Sequence, residues 1–467
     1  MSRRHRAGRV LAALFTSVTV AGLAATSSAA PPGADHEPTL PIVFVHGFTG
    51  SAQQYETQAM RFASNGYPNV VTGIDRISAL PAVIYPILDA FFDNVMAQTG
   101  DDQIYAVGHS QGTGVMNGYL NSSPERAARV AKYIGIDGAQ AATCPGGVEC
   151  MGLWARGPTT RVLGPRNVYL SDQGHTQSVG SEESFAEQYE FLTGHAPTTR
   201  LVLPEPPGQV TIAGRALNFP ANTGIAGSTL EVFEVHPSSG ERKSSAPLHT
   251  VPIGEDGHFG PLKVNGQHRY ELQLTRPSDD GPRFQHFYYE SFPRDDHLIR
   301  LNLSPLDSPL STAIQRGPHT VVSLVRQKEW WGNNTADPAN VDSLDITTAT
   351  PNGVESAGNI INSETAPFLG STIAVITFDI GVDQTTDTSD LFPLGPFLSG
   401  VDAYMPATDP PSGTITFTHE QRREGTQVIS TPNWSSEAGH GMTVTFRDWV
   451  QDFDTWGGCK RAKPSPC

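Results

Sequence analysis

The chain has 467 residues, which exceeds the size of one ordinary domain and predicts two or three domains. Its hydrophobic fraction of 38% suffices for cores at this length, while 46 glycines and 37 prolines indicate many turns. The formal net charge of −16 makes the surface repel nucleic acids and anionic membranes, so no nucleic acid partner is expected.

The first 30 residues have the composition of a secretory signal peptide. Four arginines within residues 3–9 precede an apolar run at 10–25, and small residues at 28–30 fit a cleavage site. The general and twin-arginine export routes both stay open, and an uncleaved membrane anchor is the alternative. No later apolar run is long enough to predict a transmembrane segment. We expect a secreted, extracellular product with a net charge of −20, because cleavage removes four arginines and no acidic residue.

Four cysteines are expected to form disulfides in an exported chain. Three pairings are possible, and we expect the local one, in which Cys144 pairs with Cys150 and Cys459 pairs with Cys467. Neither pair has histidines at ligand spacing and there is no Cys-x-x-Cys, so no metal site is predicted.

Residues 31–203 alternate between short apolar runs and segments with helical periodicity. This alternation predicts an α/β fold, in which a parallel sheet is covered by helices on both faces. Capping residues predict helix starts at Ser51 and at Ser123-Pro124. The predicted strands are 42–45, 70–71, 104–107, 133–136 and 168–170. The other predicted helical segments are 55–63, 84–95, 113–120 and 182–192.

Residues 203–208 are rich in proline and predict a stiff linker. After the linker, apolar and polar residues alternate with period two between clusters of turn residues, as in antiparallel β structure. We divide this part near residue 310 into a β-sandwich domain at 209–310 and a C-terminal β domain at 311–467. The predicted fold class is therefore a compact α/β domain followed by an all-β region that is sandwich-like or barrel-like.

Residues 108–112 have the sequence Gly-His-Ser-Gln-Gly, which matches the Gly-x-Ser-x-Gly nucleophile elbow of α/β-hydrolases. The five-residue pattern alone is common, but here an apolar strand precedes it and a helical segment follows it. A strand–turn–helix of this kind places Ser110 on a sharp bend with its hydroxyl exposed. Ser110 is therefore the candidate nucleophile, and an ordinary tight turn is the alternative.

A serine hydroxyl needs a base to become a nucleophile, and the base needs a carboxylate to orient it. In α/β-hydrolases these residues follow the serine in the order acid, then histidine. His175 follows the last predicted strand and precedes the last helix, so it is the candidate base. His195 lies past that helix and His440 lies far along the chain, which makes both weaker candidates.

The candidate acid is Asp137, which ends a predicted strand at the sheet edge where catalytic groups collect. Asp172 is the alternative, but it lies on the same loop as the candidate base and is more typical of a turn. The oxyanion requires two backbone N–H groups, for which Phe48 and Gln111 are the candidates. His46 precedes the serine and is interpreted as a residue that braces its loop.

These motifs together resemble secreted α/β-hydrolase lipases of bacteria and archaea, in particular two-domain archaeal carboxylic-ester lipases with a C-terminal β domain. The resemblance covers residues 40–200 and extends to the later region only by architecture. It implies Ser110, Asp137 and His175 as the catalytic residues. Phe48 and Gln111 are implied as oxyanion donors. The segments that show the resemblance are 45–51, 55–66, 108–112, 136–138 and 175–177.

The resemblance also implies a serine hydrolase that cleaves medium- to long-chain acyl esters or glycerides through an acyl-enzyme, without a cofactor. In that family the C-terminal β domain is thought to help bind lipid, so we expect a lipid or ester substrate and contact with a lipid interface. Two other functions stay open: a polyester depolymerase, and a non-catalytic surface-binding protein that uses the β region. The sequence predicts neither the acyl-chain preference nor the oligomeric state.

Two segments are candidate covers for the serine, as lids are in lipases. Residues 74–92 are unusually apolar, and residues 144–162 lie between the candidate acid and the candidate base. For 84–95 we favour the alternative that its apolar stripe faces the core of a sheet-packing helix. Three aromatic residues of the β region are candidates for ligand binding or for core packing: Trp330, Trp331 and Trp434.

Overall fold

The computed structural model describes residues 39–155, 162–277, 283–330, 341–362, 371–388, 391–422 and 425–449, and the backbone of 453–455 and 458–459. The predicted signal peptide, Trp331 and the predicted Cys459–Cys467 disulfide lie outside the described residues. Within the described ranges, no helix has the length and apolar character required to cross a membrane.

The N-terminal part, called the α/β module (residues 39–203), alternates strands with helices. Its strands are β1 (Ile42–Val45), β2 (Val71–Ile74), β3 (Ile104–His109), β4 (Val130–Ile136), β5 (Glu149–Ala155) and β6 (Arg166–Leu170). Its helices are α1 (Glu56–Ser64), α2 (Pro81–Thr99), α3 (Gln111–Ser122), α4 (Pro124–Ala128), α5 (Gln177–Gly180) and α6 (Glu182–Thr193). The strands form one parallel sheet in the order β2-β1-β3-β4-β5-β6, which confirms the predicted α/β fold.

Both faces of this sheet are buried, because alternate residues of each strand point to opposite sides. Ile42 and Phe44 of β1 pack in one core cluster with Phe62 of α1. Val43 and Val45 belong to the cluster on the other face, which includes residues of α2 and α3. A strand that is buried on both sides needs an uninterrupted apolar run, which explains the sequence of β1.

The candidate cover at 144–162 is wrong in its central part, because Glu149–Ala155 forms β5 within the sheet. Trp154 is fully buried in the core of the module. Cys144 forms the predicted disulfide with Cys150 at the start of this strand. The segment is therefore a structural strand whose entry is fixed by a disulfide.

Helix α2 packs its apolar stripe against the sheet, as we favoured for 84–95. Ile84, Leu88 and Phe92 are buried in the core, whereas Leu80 and Val83 at the start of the helix are exposed.

Two helix starts differ in their capping. The side chain of Ser123 accepts a hydrogen bond from the backbone N–H of Arg126 and so caps α4, as predicted. Ser51 precedes a short 3-10 helix at Ala52–Tyr55, where its side chain makes no capping hydrogen bond, and α1 begins only at Glu56.

In its described residues, the β region (residues 209–459) consists of strands, one short α-helix, α7 (Pro309–Ala313), and a 3-10 helix at Ile380–Val382. Its strands before that helix are β7 (Thr211–Asn218), β8 (Thr223–Gly224), β9 (Thr229–Val235), β10 (His249–Pro252), β11 (His258–Lys263), β12 (Arg269–Thr275), β13 (Phe284–Tyr289) and β14 (Asp296–Leu303). Those after it are β15 (Val322–Val325), β16 (Ser343–Thr350), β17 (Gly353–Ile361), β18 (Ala374–Phe378), β19 (Phe392–Gly395), β20 (Leu398–Asp402), β21 (Thr414–Glu420), β22 (Thr426–Pro432), β23 (His440–Thr445), β24 (Phe453–Thr455) and β25 (Gly458–Cys459).

A nine-stranded sheet in the order β10-β9-β12-β13-β23-β15-β18-β20-β19 organises the β region. Because β13 pairs with β23, strands from both sides of residue 310 share this sheet, and the division there stays a prediction. Two smaller sheets, β11-β7-β14 and β17-β16-β21-β22, share core clusters with it. Most pairs are antiparallel as predicted, but β7–β14, β13–β23, β15–β23 and β18–β20 are parallel. Trp330 is fully buried in one of these cores.

Candidate active site

Ser110 lies on a sharp bend between β3 and α3, with a backbone φ of 52° and ψ of −118°. This region of backbone space is costly for any residue with a side chain, and such conformations concentrate at functional sites. The bend requires glycine at position 112, because a Cβ there would lie 2.1 Å from the carbonyl oxygen of Val45. The nucleophile-elbow pattern is thus explained by the close approach of α3 to β1.

The loop after β1, called the oxyanion loop (residues 46–51), lies directly against the serine. A Cβ at Gly47 would be 2.8 Å from the Cβ of Ser110, so only glycine lets the loop approach this closely. Phe48 follows on the same loop, and Gln111 begins α3, where the first backbone N–H groups have no partner within the helix. His46 is buried, and its Nε2 lies 2.8 Å from the carbonyl oxygen of Asp75, in agreement with a bracing role.

His175 and Asp137 are in contact. The Nδ1 atom of His175 lies 2.6 Å from Oδ2 of Asp137, and the other carboxylate oxygen accepts the backbone N–H of Ala155 at 3.1 Å. Asp137 directly follows β4 with a φ of 39°, and its side chain is 7% exposed. This geometry is what a histidine base and its orienting carboxylate require.

The alternative residues lie elsewhere. Asp172 is exposed, although it belongs to the same loop as His175. His195 is at the surface, with its Nδ1 atom 3.2 Å from the carbonyl oxygen of Ala196. His440 is in β23, where its Nδ1 atom lies 2.9 Å from Nε2 of His286.

His109 is a site residue that our sequence analysis did not single out. It is buried below His175, with the two ring centroids 4.5 Å apart. Its Nε2 atom lies 3.0 Å from the backbone carbonyl oxygen of His175. Burial, followed by the nearby charge of His175, lowers the pKa of His109 well below its ordinary value. A neutral His109 therefore supports the backbone of the candidate base from beneath.

Ser110 and His175 line one cavity of about 170 Å³. Among the described residues that line it, none comes from the candidate covers 74–92 or 144–162. Much of the apolar wall comes from the β region, which sequence analysis did not predict. The apolar β-region residues at this cavity include Leu310, Val325, Ile373, Ile376, Phe397 and Leu398.

Phe397 is a β-region residue of the cavity wall that lies beside His175. It occupies the two-residue turn between β19 and β20, and its φ of 65° is in the left-handed region that favours glycine. Its ring is nearly parallel to the imidazole of His175, with the centroids 6.3 Å apart. A bulky ring kept at a costly backbone position beside the candidate base indicates a role in the cavity.

Three family models match the chain. The model for the alpha/beta hydrolase fold matches residues 41–132, and the model for the lipase C-terminal domain matches residues 208–306. A further C-terminal domain model matches residues 310–450. No curated protein matches the chain.

Several solved structures are similar to part of the chain. Lipase B of Aspergillus fumigatus is 14% identical with a TM-score of 0.27, over 34% of this chain and 54% of that one. A CIB-like hydrolase of Thermoplasma acidophilum is 14% identical with a TM-score of 0.26, over 33% and 86%. A monoglyceride lipase of Saccharomyces cerevisiae is 16% identical with a TM-score of 0.19, over 23% and 39%. The chain thus spans less than two thirds of either lipase.

The matched models correspond to the observed architecture. The hydrolase model covers β1 to the start of β4, including the serine bend, and the lipase model covers the first part of the β region. The chain therefore has an α/β-hydrolase fold followed by a β region that matches the lipase C-terminal domain in its first part, which confirms the resemblance found in the sequence.

Proposed function

We propose that this protein is a secreted serine hydrolase that cleaves carboxylic esters with medium- to long-chain acyl groups, including glycerides. The proposal depends on the 2.6 Å contact between His175 Nδ1 and Asp137 Oδ2. Both residues follow the elbow serine in the chain order of α/β-hydrolases. His175 and Ser110 line the same cavity. Export is supported by the signal-like N-terminal composition and by the Cys144–Cys150 disulfide.

In the proposed mechanism Ser110 Oγ attacks the ester carbonyl carbon, and Nε2 of His175 takes the hydroxyl proton. Asp137 orients the imidazole through Nδ1 and stabilises its protonated form. The backbone N–H groups of Phe48 and Gln111 donate hydrogen bonds to the oxyanion of the tetrahedral intermediate. His175 then protonates the leaving alcohol, and a water molecule releases the acid from Ser110 by the reverse sequence of proton transfers.

The walls of the cavity support an apolar acyl substrate. Leu310, Ile376 and Leu398 present aliphatic side chains to the same space that Ser110 lines. Burial of an acyl chain against such a surface is favourable by about 0.8 kcal/mol for each methylene. Esters with longer acyl chains should therefore bind more tightly until the chain exceeds the cavity.

The experiment compares Ser110→Ala with the native protein on chromogenic esters of increasing chain length. We expect a loss of kcat of at least about 10⁴-fold with unchanged folding, because no other group supplies the nucleophile. Ser122→Ala is the matched control, since Ser122 lies at the far end of the same helix and bonds to the carbonyl oxygen of Tyr119. Native rates in Ser110→Ala would reject the proposal.

A further inference from the structure

Glu329 of the β region contacts the backbone that follows the candidate base. Its Oε1 atom accepts the backbone N–H of Thr176 at 2.7 Å, and its Oε2 atom accepts that of Gln177 at 3.2 Å. These two residues come directly after His175 in the chain. Glu329 is completely buried, so its carboxylate is shielded from solvent at this contact.

A buried carboxylate is costly unless charge-assisted hydrogen bonds compensate for lost hydration. For Glu329, the two backbone N–H groups of the histidine loop (residues 171–176) and its continuation into α5 provide this compensation. Among the residues that the structure describes, no cation lies within 4 Å of this carboxylate. The carboxylate of Glu329 therefore forms its hydrogen bonds with the backbone beside His175.

Gly174 makes this close approach possible. A Cβ at position 174 would lie 2.2 Å from Oε2 and 2.5 Å from Cδ of Glu329, which is closer than two such atoms can approach. Only glycine at position 174 therefore leaves room for the carboxylate of Glu329.

Arg422 fixes the same contact from a second direction. It donates hydrogen bonds to the backbone carbonyl oxygen of Glu329 and, at 3.1 Å, to Oε1 of Gln177. The same Oε1 accepts the backbone N–H of Gly174 at 3.3 Å. The backbone on both sides of His175 is thus tied to the β region.

We propose that Glu329 is a positioning residue for His175: its carboxylate fixes the backbone at 176 and 177 and thereby holds the imidazole at the distance that proton transfer needs. This inference rests on the proposed function of His175 as the base. A displacement of about 1 Å in a catalytic group reduces turnover by up to about 100-fold, so a measurable effect on kcat is expected.

The test measures kcat and KM for a short soluble ester, after the active sites have been counted by complete reaction with a phosphonate. We expect Glu329→Ala to lower kcat for each counted site by about tenfold or more, with KM within about twofold. Glu329→Gln, which keeps one acceptor, should lose less and also decides the question if the alanine variant does not fold. Glu271→Gln is the matched control, because Glu271 is equally buried but bonds to Arg242 and His286.

A native kcat for each counted site in Glu329→Ala or, if that variant does not fold, in Glu329→Gln would overturn the positioning role. Gly174→Ala provides a second test: it should lower kcat alone, but add little to Glu329→Ala, which removes the clashing atoms. Independent, additive losses would likewise contradict the proposal. Ser110→Ala is measured in parallel, because native activity in that variant would reject the proposed function itself, whatever Glu329 does.

Discussion

At the scale of single residues, two of the three proposed catalytic residues occupy costly backbone conformations. Ser110 has a φ of 52° and Asp137 a φ of 39°, each of which costs about 1–3 kcal/mol for a residue with a side chain. The sequence allowed both to be proposed, because an elbow pattern and a strand end are local signals. Phe397 and Glu329 have no comparable signal, since only long-range packing brings them to His175.

Asp137→Asn tests the orienting carboxylate. The amide has no charge to stabilise the imidazolium and favours the wrong tautomer of His175, so we expect kcat to fall by about 10³- to 10⁴-fold with little change in KM. Steady-state kinetics on a soluble ester measures both constants.

Asp172→Asn is the control for this prediction, because Asp172 is exposed and the contact of His175 is with Asp137. It should keep native kcat. The assignment of the acid would be reversed if Asp172→Asn lost activity and Asp137→Asn did not.

Phe397→Ala tests the ring beside the candidate base. Alanine bears the same backbone cost at this φ, so the change isolates the loss of the ring. The wider cavity should raise kcat/KM for long or bulky acyl groups relative to short ones by about tenfold. Phe392→Ala on the same hairpin is the control, since Phe392 is not among the cavity's described lining residues. An unchanged chain-length profile in Phe397→Ala would contradict a role in specificity.

At the scale of elements, apolar runs predicted most strands of the α/β module, but β5 was missed. Cys150 lies within this strand and Cys144 precedes it, and the segment 144–162 was instead interpreted as a candidate cover for the serine. The pairing of β5 with β4 and β6 depends on tertiary contacts that no local period reveals. For the same reason the parallel pair β13–β23 could not be predicted.

Glycine substitutions in α3 test the packing of the elbow. Gly112→Ala would place a Cβ 2.1 Å from the carbonyl oxygen of Val45, and backbone atoms cannot rotate away, so we expect a loss of about 3 kcal/mol in the free energy of unfolding. Gly114→Ala has its nearest contact at 3.7 Å and should stabilise the helix by about 0.5–1 kcal/mol. Equal effects of the two variants in urea unfolding would refute this account of the elbow.

At the scale of the whole molecule, the β region also contacts the oxyanion loop and the segment beside it. Asn222 Nδ2 donates a hydrogen bond to the carbonyl oxygen of Gly50 at 2.7 Å. The carboxylate of Asp75 accepts hydrogen bonds from Arg300 Nε at 2.8 Å and from Arg215 Nη1 at 2.6 Å. Its Oδ1 atom also accepts the backbone N–H of Ala52. Burial alone would raise the pKa of Asp75, but the two arginines hold it well below its ordinary value. The candidate site is therefore assembled by partners up to 245 residues apart, which explains why the sequence did not predict this half of it.

The buried carboxylate of Glu271 makes stability depend on pH. Burial favours its neutral form, but Arg242 and His286 overcome this and lower its pKa to about 2. An unfolded glutamate titrates near about 4.3, so the unfolded chain binds more protons between these values. The contribution of Glu271 to the free energy of unfolding is therefore complete above about pH 4.3 and is lost as the pH falls towards about 2. Urea unfolding should show a smaller decrease across this range in Glu271→Gln than in the native protein, whereas equal slopes would contradict the predicted titration.

The most direct measurement is the mass of the peptide that contains Ser110 after reaction of the full chain with a serine-directed alkyl phosphonate. The account predicts one adduct for each chain, located on Ser110 and absent from Ser110→Ala, together with a parallel loss of ester hydrolysis. A folded protein that hydrolyses esters without modification of Ser110, or that is modified only at another residue, would contradict it.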